Sequence, residues 1–250
     1  MKREIRWWYS PSLQKDMEVA VYGHYGFALL LFPTAGADYL EYERFNLIEM
    51  IRPYIEAGKV KVYSINSINK ESWLNRNMSG YSKAIRHQQF NNYITEEIVP
   101  FIHMDCQGLV PIVTAGASLG AFHAANSLFR RPDIFSGTIA MSGSYDLKDY
   151  TSGYFDENVF FNSPVDYLYH MHYDDYSARL LRRHNNRIII ATGQGNYEKP
   201  SATGDISNLL SAKNIPHWAD WWGYDMPHDW DTWRKMLPYF LGTLVQNPPY

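Results

Sequence analysis

With 250 residues the chain can bury a sizeable core, and its 23 Lys and Arg against 26 Asp and Glu leave a formal net charge of -3, which offers no basic groove for a nucleic-acid backbone. A single cysteine, Cys106, excludes an intramolecular disulfide framework, and the longest apolar run, Phe27 to Phe32, is far too short to span a bilayer. The opening residues Met1 to Trp8 show no apolar signal region, so the expectation is a cytoplasmic protein with no membrane or nucleic-acid partner.

In chain order, Glu4 to Ser10 and Met17 to Tyr22 read as two strands joined by a turn at Pro11-Ser12. Phe27 to Phe32 is apolar at every position, as expected of a strand buried on both faces, and Pro33-Thr34-Ala35-Gly36-Ala37 breaks it. Arg44 to Ala57 has helical spacing, with Phe45, Ile48, Ile51 and Ile55 on one side and Gly58 as its stop. Val60 to Ile65 is a strand, and Ser82 to Ile102 is mostly helical, with Phe90, Ile94 and Ile98 on one face. A β-branched run, Ile112-Val113-Thr114, then leads into Gly116-Ala117-Ser118-Leu119-Gly120 and a helix over Ala121 to Phe129. Gly137 to Ser142 is a strand. Gly143 to Tyr173 reads as an irregular aromatic insertion over one end of the sheet. Arg187 to Thr192 is a strand, Asp205 to Lys213 a helix with Asp205 near its start, Pro216 to Trp222 a strand and Asp231 to Val245 the last helix. Strands alternating with helices predict a single α/β domain over residues 1–250, its mostly parallel sheet covered by helices on both faces.

The stretch around Ser118 organises the rest. In G-x-S-x-G the serine occupies a sharp strand-to-helix turn, where side chains two residues away on either side would collide with neighbouring backbone. The helix that follows points free N–H groups at the hydroxyl. A serine nucleophile needs a base. His228, in Pro227-His228-Asp229-Trp230, falls in the turn between the last strand and the last helix, on the sheet edge that carries the elbow. The alternative reading of His228 is a cap for the final helix. His170 and His172 with Asp174 and Asp175 could be drawn as a metal site, but an i, i+2 pair in a polar loop reads better as solvated surface, so neither metal nor cofactor is called for.

The base needs a carboxylate behind it. Glu198 is the only one in the turn Thr192 to Glu198, while Asp205 and Asp146 remain open as alternatives; Asp229 is too close in sequence to reach behind the ring. The order serine, acid, histidine is that of the α/β-hydrolase fold. An oxyanion needs two donors, which the backbone N–H of Leu119 and one from the turn after Phe32, that of Ala35 with Gly36 next, are placed to supply. Trp73 and Trp230, with the aromatics of the insertion, are the candidates for a pocket wall, and flat aromatic faces suit aryl or sugar rings as well as short acyl chains.

Gly116 to Ala121, Met141-Ser142-Gly143-Ser144-Tyr145-Asp146, Ala191 to Gly195 and His228-Asp229-Trp230-Asp231-Thr232-Trp233 together resemble the esterase family of α/β-hydrolases that includes esterase D, the feruloyl and enterochelin esterases and the mycolyltransferases. The resemblance runs from about Phe32 to Leu241. It implies a serine carboxylic-ester hydrolase working on a small-molecule ester without a cofactor, with Ser118 as nucleophile, His228 as base and Glu198 as acid. An acyltransferase would use the same triad with an alcohol in place of water, and a non-catalytic binding protein on this fold would be expected to have lost a triad member. Oligomeric state, up to a homo-oligomer, is left open.

Overall fold

Among the described residues, 1–185 and 187–249, the computed structural model carries eight strands in one sheet. They are β1 (Arg3–Ser10), β2 (Lys15–Tyr22), β3 (Phe27–Phe32), β4 (Val60–Ile65), β5 (Ile112–Ala117), β6 (Gly137–Met141), β7 (Ile188–Thr192) and β8 (Trp218–Trp221). The spatial order is β1-β2-β4-β3-β5-β6-β7-β8. β1 and β2 are antiparallel, as are β2 and β4; every other pairing is parallel. Strands β3 to β7 are buried at every residue, which is why they read as unbroken apolar or small-residue runs rather than as alternation.

Alternate side chains feed two cores. Leu30 and Phe32 face the layer of Phe90, Ile94, Ile98, Ala125 and Phe129. Leu29 and Leu31 face Ile48, Ile51 and Ile55 and, from the last helix, Leu237, Phe240 and Leu244. Because the strands from β3 onward run parallel, the turns after β3, β5, β6, β7 and β8 all emerge at one sheet edge, and the functional residues collect there.

Several boundaries differ from the sequence reading, each for a local reason. The helix expected over Arg44 to Ala57 is split: a short turn, Glu41–Arg44, is followed by Leu47–Glu56, with Asn46 between them at a φ of 59°. The helix over Ser82 to Ile102 runs as Gly80–Tyr93 and Val99–Asp105 joined by a π-helical turn, Ile94–Ile98. The insertion, read as irregular, carries short helices at Lys148–Thr151, Glu157–Phe160 and Pro164–His170. The helix expected from Asp205 starts five residues earlier, at Pro200, a residue suited to the first helical position. Asp205 is therefore in mid-helix and not a charge at its N-terminus.

Candidate active site

The elbow owes its geometry to close backbone contacts. A Cβ on Gly116 would lie 2.4 Å from the carbonyl carbon of Gly120, and a Cβ on Gly120 would lie 2.2 Å from the Phe32 carbonyl oxygen. Glycine at both places lets β5, the elbow helix Leu119–Arg130 and the end of β3 meet without side chains between them. Ser118 itself stands at a φ of 55°, a left-handed conformation that a non-glycine residue adopts only where the surroundings impose it. Here they do so through the N–H of Ser118, which donates to the carbonyl of Met141 at 2.9 Å.

The acid and the base arrive on neighbouring strands. After β7 the chain turns through Gly193 and Gly195, and a Cβ on Gly193 would come within 2.1 Å of the Met226 carbonyl oxygen, so this turn lies flat on the loop that precedes His228. The Gly195 N–H donates to Met226 O, and the His228 N–H donates to Asn196 O, each at 2.9 Å. Two bonds between the loops thus fix Glu198 beside His228. The resulting chain is continuous: Ser118 Oγ lies 2.9 Å from His228 Nε2, and His228 Nδ1 lies 3.2 Å from Glu198 Oε2. Asp205 and Asp146 line a different cleft with Tyr169 and His170, and neither contacts His228. Among the described residues no group of three or more His, Cys, Asp or Glu is arranged to hold a metal ion.

Glu198 is sealed from solvent, with its side chain 1% exposed against 25% for His228. Burial raises the carboxyl pKa, but hydrogen bonds from His228 and Ser142, and from the Gly193 N–H, outweigh it and hold Glu198 below the usual carboxylate range. Ser142 Oγ donates to Glu198 Oε1 at 2.6 Å and itself accepts the indole N–H of Trp233 at 3.0 Å. The Trp233 ring also stands edge-on to the His228 imidazole, with centroids 5.1 Å apart. One tryptophan therefore braces both ends of the acid–base pair. The sequence alone gives Ser142 no role; it stands at a φ of 56°, and only the fold brings its hydroxyl between Glu198 and Trp233.

On the other flank, the N–H groups of Leu119 and Ala35 have no acceptor among the described residues, whereas those of Ser118 and Thr34, the residues before them, do. The Thr34 N–H and hydroxyl both donate to the buried carboxylate of Glu41, at 2.8 and 2.5 Å. Tyr42 links this turn to the elbow: its hydroxyl donates to Phe32 O at 2.7 Å and accepts from Ala117 N at 3.2 Å. The turn is thus tied down on both sides while the Ala35 amide stays free.

The cleft over Ser118 measures about 350 Å³ and is lined by Leu119, Gly143, Ser144, Tyr150, Tyr197 and Lys199, among others. Neither expected pocket tryptophan is in its wall. Trp73 is 2% exposed and packs with Phe122 and Leu147 beneath Leu119. Trp230, at the start of the last helix, lies face to face with Phe45, with centroids 4.4 Å apart. Each found a large apolar partner and left the cleft to tyrosines. Tyr197 is 91% exposed at the cleft mouth, held at a φ of 66° next to Glu198.

Comparison with known proteins gives the family and the fold. The model of the family described as "Putative esterase" matches residues 48–244. No curated protein matches the chain. Among solved structures it is similar to a ferulic acid esterase (TM-score 0.76, 16% identity, 98% of each chain covered). It is similar also to an S-formylglutathione hydrolase from Agrobacterium tumefaciens (TM-score 0.71, 11% identity, 98% of this chain and 94% of that one). A third is an S-formylglutathione hydrolase from Staphylococcus aureus (TM-score 0.63, 17% identity, 98% of each chain). At such identities these likenesses speak for a shared fold.

Proposed function

The chain belongs to the esterase family whose model spans most of its length, and on that premise we propose that this carboxylic-ester hydrolase works through an acyl-enzyme formed on Ser118. The observation that supports this reading is the unbroken run from Ser118 Oγ to His228 to Glu198, at 2.9 and 3.2 Å. In the proposed reaction Ser118 Oγ attacks the ester carbonyl as its proton passes to His228 Nε2. The N–H groups of Leu119 and Ala35 receive the oxyanion. Collapse breaks the ester C–O bond, and the leaving alcohol takes the proton from His228. Water, deprotonated by the same imidazole, then releases the acid and restores Ser118. Glu198 holds the imidazole in the tautomer that presents a lone pair to Ser118 and stabilises the imidazolium as it forms.

The substrate reading follows from the cleft. About 350 Å³, bounded by backbone, two tyrosines and polar side chains, suits a short acyl group or a single aryl or sugar ring better than a long alkyl chain. Labelling with a fluorophosphonate probe tests the nucleophile: the native protein should label, and Ser118→Ala should not. The same variant should lose turnover of a p-nitrophenyl ester by about 10³-fold or more while its melting temperature stays close to native. A series of p-nitrophenyl esters of increasing acyl length tests the cleft. Faster turnover of a twelve-carbon ester than of acetate or butyrate would reject the substrate assignment and leave the triad standing.

A further inference from the structure

At the far end of the elbow helix, about 17 Å from the Ser118 turn at 1.5 Å per residue, lies a second polar cleft of about 170 Å³. Arg130, the last residue of that helix, forms part of its wall together with Gln88, Asn92, Thr95 and Arg131. The π-helical turn Ile94–Ile98 borders it, and such turns recur at functional sites.

The way Arg130 is held is unusual. Its Nη1 donates to two neutral amides, Gln88 Oε1 at 3.0 Å and Asn162 Oδ1 at 2.7 Å. No carboxylate among the described residues lies within ion-pair distance of it, whereas Arg131 next door is paired with Asp133 at 2.7 Å. Burial pulls the Arg130 pKa down, as happens to a cation that is desolvated without a compensating charge. The carbonyl end of the helix offsets part of that cost. Amide acceptors orient a guanidinium without cancelling its charge. With Nη1 occupied, Nε and Nη2 donate to no described residue, yet neither is sealed from solvent. That edge offers two parallel N–H donors, the geometry that grips two oxygens of one anion. Asn92 adds a free donor, since its Oδ1 accepts from Gln88 while its amide nitrogen donates to no described residue.

We propose that this cleft binds a small oxyanion, a carboxylate or a phosphate, gripped by the Nε–Nη2 edge of Arg130. Glu96 also lines the cleft and sets a limit on the charge it accepts. The site is independent of the ester chemistry at Ser118.

The test is calorimetric titration of the intact protein with inorganic phosphate and, separately, with acetate, at an ionic strength held constant with sodium chloride. The native protein should bind at least one of the two saturably. Gln88→Glu keeps the acceptor for Nη1 but places a carboxylate beside the guanidinium, and it should weaken binding at least tenfold. Arg130→Gln should abolish it, and if that variant fails to fold, Gln88→Glu decides alone. Phosphate tighter than acetate assigns a phosphorylated ligand, and the reverse assigns a carboxylic acid. Heats no larger than those of chloride for both anions, or equal affinity in native protein and Gln88→Glu, would overturn the proposal.

Discussion

Ser142 is the residue whose removal separates orientation of the triad from its bare presence. Its hydroxyl bonds a carboxylate that is otherwise sealed, and bonds to charged groups are worth about 1.5–3 kcal/mol. Without that bond Glu198 is free to turn away from His228, and because their contact matters most as the imidazolium forms, the loss of orientation falls on kcat and not on KM. Ser142→Ala is therefore expected to lower kcat by about tenfold or somewhat more, one decade per 1.36 kcal/mol, with KM nearly unchanged. A Glu198 deprived of this donor is more basic, and the coupled acid–base pair then keeps its proton to higher pH. The acid limb of the kcat/KM profile should accordingly move upward in Ser142→Ala, and by less in Trp233→Phe, which keeps the ring against His228 and loses only the N–H to Ser142. A variant with lowered kcat and an unmoved acid limb would make Ser142 a packing residue. Tyr197 gives the complementary case. It is 91% exposed, so Tyr197→Ala should leave the urea midpoint unchanged while raising KM for aryl esters. Trp73→Ala, at a buried indole outside the cleft, should do the reverse and cost about 3–5 kcal/mol of stability.

At the scale of elements, the joint between β3 and the elbow helix decides whether the site exists. A methyl group on Gly120 would sit 2.2 Å from the Phe32 carbonyl oxygen and 2.8 Å from that of Pro33, both backbone atoms that no rotamer change can move aside. Gly120→Ala should therefore push the Ala35 turn away from Ser118, with a stability loss of about 1–3 kcal/mol, the range for overpacking, and a loss of turnover larger than that destabilisation alone explains. Urea denaturation and p-nitrophenyl acetate kinetics on the same sample check both. This joint was legible in the chain because G-x-S-x-G has one mechanical reason for each glycine. So were the strands: buried parallel strands leave unbroken apolar runs such as Phe27 to Phe32, and Ser118, Glu198 and His228 each fall in a turn at the same sheet edge. What stayed hidden depended on partners far away in sequence. Nothing near Trp230 says that Phe45 will cover it, and nothing near Trp73 says that Leu119 and Phe122 will enclose it. Asp205 looked like a helix start because the preceding Pro200-Ser201-Ala202-Thr203-Gly204 reads as a loop, yet packing of Thr203 and Ile206 draws that stretch into the helix.

Over the whole molecule, the buried histidines tie stability to pH. His87 and His123 lie between the helix Gly80–Tyr93 and the elbow helix, stacked with centroids 5.2 Å apart. Both are nearly or fully inaccessible, at 0% and 2% exposure. Burial above all, with the nearness of His123 and the positive charge of Arg130 adding to it, puts His87 well below the ordinary histidine range, and burial alone puts His123 at about 3. His184 is shifted the same way, again chiefly by burial. In the unfolded chain each titrates at about 6.5. Below that value the unfolded state binds protons that the native state refuses, so acid draws the equilibrium toward unfolding, and stability rises with pH across the window between the two values. Each such histidine contributes a slope of up to about 1.4 kcal/mol per pH unit, developed fully a unit or so below 6.5. Glu198 works in the same direction at lower pH, since its native-state value is depressed. The protein should thus keep a nearly constant urea midpoint from pH 8 to about 7 and lose stability steeply between about 6 and 5. His87→Phe should flatten that slope, because an apolar ring in the same slot takes up no proton in either state. Two imidazole resonances should meanwhile stay in the neutral form at pH 5 in the folded protein, as read by nuclear magnetic resonance. A midpoint that does not change between pH 7 and 5, or titration of every histidine near its ordinary value, would show that His87 and His123 are not sealed as the stacked arrangement requires.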